Sequence, residues 1–323
     1  MESSIVRSKE FPLKDNWKKF TPTLSQVKSL MKNDHLKRRA YVKSAIEKQK
    51  ANGKYISNES CKSKKASSVV HLCMVLSDTT RHDIQFPKKF SSKVKQDEAF
   101  FFLREGSERV RLRFHDYNEI YARAGLYEQI FYERLKCASP KKVSKILETS
   151  VANYSGNFNE LRILDLGAGN GMMGEELKSR GVARLVGVDI CDEAKEAAYR
   201  DRPGIYDAYY IKNFTKLDDK TAKEICEWQF NCMVSVAALG FGDIPTKAFM
   251  NAVNMVEKGG WIAFNIRDTF LDRSDTSGFS KTIRRLIATN YFELFHIEKY
   301  RHRLSIDGKP LYYFALVVKK TSA

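Results

Sequence analysis

The run Leu161–Gly171 constrains this chain more than any other stretch. Leu161, Ile163, Leu164 and Leu166 make a short apolar segment, the kind that forms a parallel strand buried on both faces. Gly167, Gly169 and Gly171 then take alternate positions, where missing side chains let the backbone turn sharply and a ligand come close. Met172 to Arg180 holds good helix formers and stops before Gly181. Strand, glycine loop and helix in this order open a nucleotide-binding α/β sheet. A second strand, Leu185–Ile190, contains Asp189 near its end, roughly 20 residues past the loop, where an acid can accept hydrogen bonds from ribose hydroxyls. Asp165 puts a charge inside an apolar strand. It is expected to accept backbone N–H groups of the glycine loop and steady its shape.

Two ligands suit such a loop. Gly169-x-Gly171-x-x-Gly174 satisfies the dinucleotide fingerprint, but it begins two residues beyond the expected strand end. The sequence Ile163-Leu-Asp-Leu-Gly-Ala-Gly-Asn-Gly171 closely resembles instead the glycine loop of class I S-adenosylmethionine-dependent methyltransferases. The resemblance extends to Val188-Asp189-Ile190 and through most of residues 110–320. The end of the chain argues the same way. Phe279 to Thr289 reads as a helix, and Phe292 to Leu304 and Leu311 to Val318 read as strands. Asp307-Gly308 between them is a strong hairpin signal. A helix followed by a terminal antiparallel hairpin is typical of the class I methyltransferases, whereas the doubly wound dehydrogenase has six parallel strands. Gly259-Gly-Trp-Ile-Ala-Phe-Asn-Ile266 and Tyr300-Arg-His-Arg-Leu304 further resemble the small group containing the Williams–Beuren-region methyltransferase-like proteins.

The resemblance implies an α/β, Rossmann-like class I methyltransferase fold over residues 101–323. Its sheet would have seven mostly parallel strands with an antiparallel terminal hairpin, and helices on both faces. Residues 1–100 are read as a basic N-terminal α+β extension. They carry 22 Lys and Arg against 10 Asp and Glu, while the other 223 residues carry 34 against 29. Most of the net charge of +17 therefore sits in the N-terminal third. That suits an acidic partner, a nucleic acid or an acidic protein, or simply a solvated basic face. A helix capped by Thr23 or Ser25 runs towards Lys50, a polar linker spans 51–67, and Val69 to Leu76 reads as a strand. Ala99 to Leu103 and Val110 to Phe114 flank a hairpin turn.

Other totals exclude some classes. No apolar run reaches the ~18 residues that span a bilayer, and the first twenty residues lack a signal peptide's apolar segment. The expected location is cytoplasmic, with nuclear or organellar placement left open. The six cysteines, at 61, 73, 137, 191, 226 and 232, form no C-x-x-C pair. That pattern fits reduced thiols, with no metal site expected.

The remaining chain alternates as the class requires. Helices are expected over His115–Leu135, Pro140–Thr149, residues 192–200 and Thr246–Val256. Strands are expected over Tyr206–Ile211, Phe230–Val236 and Trp261–Ile266. By the resemblance, S-adenosylmethionine is the cofactor. Gly167, Ala168, Gly169, Gly171 and Met172 would admit its methionine end, with Asp165 behind them. Asp189 would hold the ribose, and Ile190, Asn213 and Phe214 would surround the adenine. The family's Asp at this third strand end is replaced by Asn213, whose side-chain carbonyl can still accept the adenine amino group. Ala237 is small enough to leave room beside the sulfonium. The segment before the first strand often closes over the cofactor in this type of enzyme. His115, Tyr117 and Tyr121 are therefore candidates to line the site, against ordinary aromatic packing. Arg267 emerges at the same sheet edge and is a candidate to meet substrate, against a structural ion pair. His115 and His302 are candidate bases if the nucleophile carries a proton to lose. The first expectation for the acceptor is an O, N or S nucleophile of a small molecule. The alternatives are RNA or protein docked through residues 1–100, and a cofactor-binding module without activity. The oligomeric state is left open.

Overall fold

The computed structural model describes residues 81–87, 98–154 and 156–321. The helix, linker and strand expected before residue 77 lie outside the described residues. The chain's seven-stranded sheet has the order β6-β5-β4-β7-β8-β10-β9. Its strands are β4 (Arg162–Leu166), β5 (Arg184–Asp189), β6 (Ala208–Ile211), β7 (Cys232–Ser235), β8 (Trp261–Arg267), β9 (Phe292–Leu304) and β10 (Pro310–Lys320). The first five are parallel, and β10 runs antiparallel to both β8 and β9. The expected sheet, terminal hairpin included, is the one observed.

Alternation along the strands makes two cores. Ile163, Leu185, Val234 and Ala263 face helices Ser139–Asn153, Met172–Ser179 and Asp192–Asp201. Leu164, Val186, Met233 and Phe264 face helices Asp219–Cys226, Thr246–Asn254 and Phe279–Ala288. Each such side chain contributes about 1.5–3 kcal/mol on burial, so it is packing on both faces that fixes these short strands. The chain builds outward from β4 to β6 and then returns to β7 on the other side of β4. Such a reversal opens a crevice at the carboxyl ends of the strands.

A separate sheet holds β1 (Asp83–Gln85), β2 (Phe100–Glu105) and β3 (Glu108–Arg113). The expected hairpin is β2–β3, turning through Gly106. β1 pairs with β2, so this sheet runs across residue 100. Its buried Phe101, Leu103 and Leu112 pack against Ile120, Leu126 and Ile130.

Two expectations need correction. The single helix over His115–Leu135 is broken. Helix Tyr117–Ala122 ends at Arg123, Gly125 takes a left-handed φ of +73°, and the chain resumes as Leu126–Glu128 and a π-turn, Gln129–Arg134. The left-handed residue stops the ladder and re-aims the aromatic side chains beyond it. The helix Asp219–Cys226 was not expected. It buries only Thr221 and Ile225, too thin an apolar stripe to register as periodicity.

Candidate active site

The glycine loop meets its neighbours at distances no larger residue allows. Gly167 has φ +75°, and a Cβ there would lie 2.7 Å from the Cβ of Ala238. Gly169 has φ +53°, and a Cβ there would lie 2.5 Å from the Tyr121 hydroxyl. Gly174, third in the fingerprint, has a different task. A Cβ there would strike Ile205 and Tyr206 at 2.6 and 2.9 Å, so it lets the helix Met172–Ser179 pack close to the segment that leads into β6.

Asp189 holds the loop. Its Oδ2 accepts the Gly169 N–H at 2.9 Å, and its Oδ1 accepts those of Ile190 and Cys191 at 2.8 and 3.1 Å. Burial raises its pKa, against the pull of these donors. Asp165 does not hold the loop, contrary to expectation. Its Oδ2 accepts the Tyr206 hydroxyl at 2.8 Å, its Oδ1 has no partner among the described residues, and burial pushes its pKa up to about 7. Its side chain lies on the face of Ile163, beside Tyr206, because alternation along the strand turns it there.

A crevice of about 180 Å³ opens at the sheet edge. Gly167, Ala168, Gly169, Met172, Asp189, Ile190, Asn213, Phe214 and Ala237 all line it, as do Tyr117 and Tyr121. Asp165 and Gly171 do not line it. Gly171 instead starts the helix Met172–Ser179 with a φ of +88°. Ile190 is 65% exposed at the lip. Asn213 departs from expectation in detail. Its Oδ1 already accepts the Thr215 N–H at 2.9 Å and the Thr215 hydroxyl at 2.7 Å. The amide NH2 is the end left for a ligand.

The candidate catalytic residues divide. Tyr117 and Tyr121 stack with ring centroids 5.9 Å apart over the glycine loop. Burial lifts both phenol pKa values well above the ordinary one, so both stay neutral. His115 lines an adjoining cavity of about 40 Å³, and its Nδ1 lies 3.1 Å from an Asp243 carboxylate oxygen. Tyr117, Tyr127, Ala237 and Asp243 line both cavities. Arg267 lines neither; its guanidinium lies 5.6 Å from the centroid of the Phe241 ring. His302 is buried in the wall of the smaller cavity, and burial beside the Arg303 charge drives its pKa well below the ordinary value.

Two networks behind the crevice escaped sequence reasoning. Ala237 has a left-handed φ of +61°, and its N–H donates to Asn265 Oδ1 at 2.6 Å. The Asn265 amide donates in turn to Ser139 Oγ and Tyr300 Oη at 3.0 and 2.7 Å, and Ser139 meets His302 Nδ1 at 2.6 Å. An asparagine within Trp-Ile-Ala-Phe-Asn-Ile was the available signal, since buried amides are bonded. The second network joins Glu128 Oε1 to the Asn170 amide and the Arg202 guanidinium at 2.7 and 2.8 Å. Nothing in the sequence marked it.

The family model of the methyltransferase domain matches residues 130–304, more than half of the chain. The chain therefore belongs to that methyltransferase family. No curated protein sequence matches it. Among solved structures it is similar to the N-methyltransferase NodS from Bradyrhizobium japonicum, in complex with S-adenosylhomocysteine. Identity there is 15%, the match covers 65% of this chain and 98% of that one, and the TM-score is 0.43. It is also similar to the magnesium protoporphyrin IX methyltransferase from Synechocystis with bound S-adenosylmethionine. Identity there is 14%, coverage 56% and 79%, and the TM-score 0.41. The Thermoplasma acidophilum protein 1320 matches at 14% identity, 64% and 97% coverage and a TM-score of 0.43.

The cofactor of this class is S-adenosylmethionine, and the residues present fit it. The loop backbone at Gly167 and Gly169 is bare where a Cβ would collide. Each carboxylate oxygen can accept two hydrogen bonds, so Asp189 Oδ2, with one donor, keeps a direction for a ribose hydroxyl.

Proposed function

We propose that this chain transfers a methyl group from S-adenosylmethionine to an O, N or S nucleophile of a small molecule. The carrying observation is the largely aromatic cavity that adjoins the crevice and shares Tyr117, Tyr127, Ala237 and Asp243 with it. A cavity of about 40 Å³ beside the crevice has room for a small group, which suits an acceptor held at near-attack distance.

Bound S-adenosylmethionine supplies a methyl group activated by a sulfonium. Gly167, Ala168 and Gly169 would lie along its methionine end, Asp189 would accept from the ribose, and Ile190, Asn213 and Phe214 would flank the adenine. Ala237 and Tyr117 line both cavities and would stand beside the acceptor. The acceptor's lone pair would form the new bond to carbon, and the electron pair of the broken carbon–sulfur bond would stay on sulfur. A hydroxyl or amine acceptor must also lose a proton. His115 takes it, with the Asp243 carboxylate fixing the Nδ1 tautomer and stabilising the imidazolium. Tyr121 and Tyr117, neutral and stacked, cover the loop and keep water away.

A tritiated-methyl assay against metabolite, RNA and protein fractions of the source cell tests this reading. Label is expected in the metabolite fraction, reduced about 10²-fold or more by His115→Ala. Label confined to RNA or protein contradicts it. The basic charge of residues 1–100 favours that second reading.

Four described cysteines, Cys137, Cys191, Cys226 and Cys232, are free thiols. Among the described residues no helix is long and apolar enough to cross a membrane. Both observations support the cytoplasm as the site of action.

A further inference from the structure

The end of β9 breaks the pattern of its strand. Arg301 pairs with Tyr312 and Arg303 with Leu311, so His302 is the extra residue of a bulge. Without the bulge one of two adjacent side chains would face solvent. With it, His302 and Arg303 are both buried, at 4% and 5% exposure. Bulges re-aim side chains and gather beside active sites. This one lies at the sheet edge that carries the glycine loop, because β9 runs in the direction of β8 and β4.

The re-aimed arginine lines the chamber next to the cofactor crevice, among Phe114, Phe131 and Tyr313. Among the described residues it has no carboxylate partner. Its Nη1 donates to the Leu304 carbonyl at 2.9 Å, and its guanidinium lies 5.6 and 5.9 Å from the Phe114 and Phe131 ring centroids. One carbonyl and two off-centre rings offset only part of the cost of burying a full charge. A guanidinium has five donors in a planar fork matched to a carboxylate. Burial pulls its pKa down, as an uncompensated charge requires. Among the described residues the one carboxylate lining the chamber, Asp243, is engaged by His115 at 3.1 Å.

The geometry points to Arg303 as the anion-binding residue of the acceptor site: the methyl acceptor is a small organic acid whose carboxylate pairs with Arg303. This rests on the methyl-transfer reading and adds the substrate class. A volume of about 40 Å³ takes a carboxylate, not a nucleotide. The acid's carbon body lies along the aromatic wall towards Tyr117 and Ala237, which brings its nucleophile to the chamber shared with the cofactor.

Isothermal titration of the full chain saturated with S-adenosylhomocysteine tests this, with benzoate and its neutral counterpart benzamide as probes. Benzoate is expected to bind at least tenfold more tightly than benzamide. Arg303→Met should lose benzoate at least tenfold while holding S-adenosylhomocysteine within threefold, and Arg303→Lys should fall between. Should the methionine variant not fold, the lysine variant and the benzoate-to-benzamide ratio of the unaltered chain decide. Absence of benzoate binding, equal binding of the two probes, or undiminished benzoate binding by either folded variant overturns the inference. A chain that fails to bind S-adenosylhomocysteine at all refutes the methyl-transfer reading instead, so the two failures are distinguishable.

Discussion

Asp189 gathers three backbone N–H groups, while Asp165, on the adjacent strand, keeps one oxygen without a hydrogen-bond partner among the described residues. Both acids were visible in the sequence, and so was the loop between them. Which acid held the loop was not visible, because it depends on the face each side chain takes in the finished sheet. The folded-state pKa of Asp165, about 7, stands above its ordinary 3.8. Its contribution to stability is therefore greatest in acid and is lost as pH rises from about 4 through 7. Asp165→Asn stays neutral and can still accept from Tyr206. Denaturant unfolding at pH 5 and pH 8 should show the variant gaining on the parent at the higher pH, by roughly 1–4 kcal/mol. An unchanged difference between the two pH values contradicts this. Gly169→Ala acts on the same loop. The added methyl meets the Tyr121 hydroxyl at 2.5 Å in a left-handed backbone, so a loss of about 1–3 kcal/mol and weaker cofactor binding are expected by thermal unfolding and titration.

At the scale of elements, every strand from β4 to β10 could be read from apolar runs and turn signals, since each is bounded by a glycine, a polar turn or a cap. What hid were features that arise only from contact. The left-handed Ala237 is one, held by Asn265 from the neighbouring strand β8. The His302 bulge is another, since a strand's register belongs to the pair and not to one sequence. The short helix Asp219–Cys226 carried its cap, with Asp218 accepting the Thr221 N–H at 2.8 Å, but too little apolar surface to be noticed. Asn265→Ala strips the Ala237 N–H, Ser139 and Tyr300 of a shared partner. Each orphaned buried group costs about 1–3 kcal/mol, so the melting temperature should fall by several degrees and methyl transfer should drop with it. A variant with unaltered stability would show that the network does not hold the loop.

For the molecule as a whole, the order of strands placed the crevice. The chain reverses beside β4, and the described residues that line the crevice lie between Tyr117 and Ala248. The methyltransferase class was legible because its glycine loop, acid-ended second strand and terminal hairpin are local patterns. The acceptor was not, because its chamber is assembled from residues between Phe114 and Tyr313. The N-terminal hundred residues carry most of the net positive charge. Deleting residues 1–72 should leave affinity for S-adenosylhomocysteine within about threefold. If those residues dock RNA, the same deletion should abolish a salt-dependent RNA affinity.

Calorimetric titration of the full chain with S-adenosylhomocysteine, and separately with NAD, tests the centre of this account most directly. One molecule of S-adenosylhomocysteine should bind per chain, at least tenfold more weakly after Asp189→Asn, and NAD should give no heat. Binding of NAD without S-adenosylhomocysteine would contradict it.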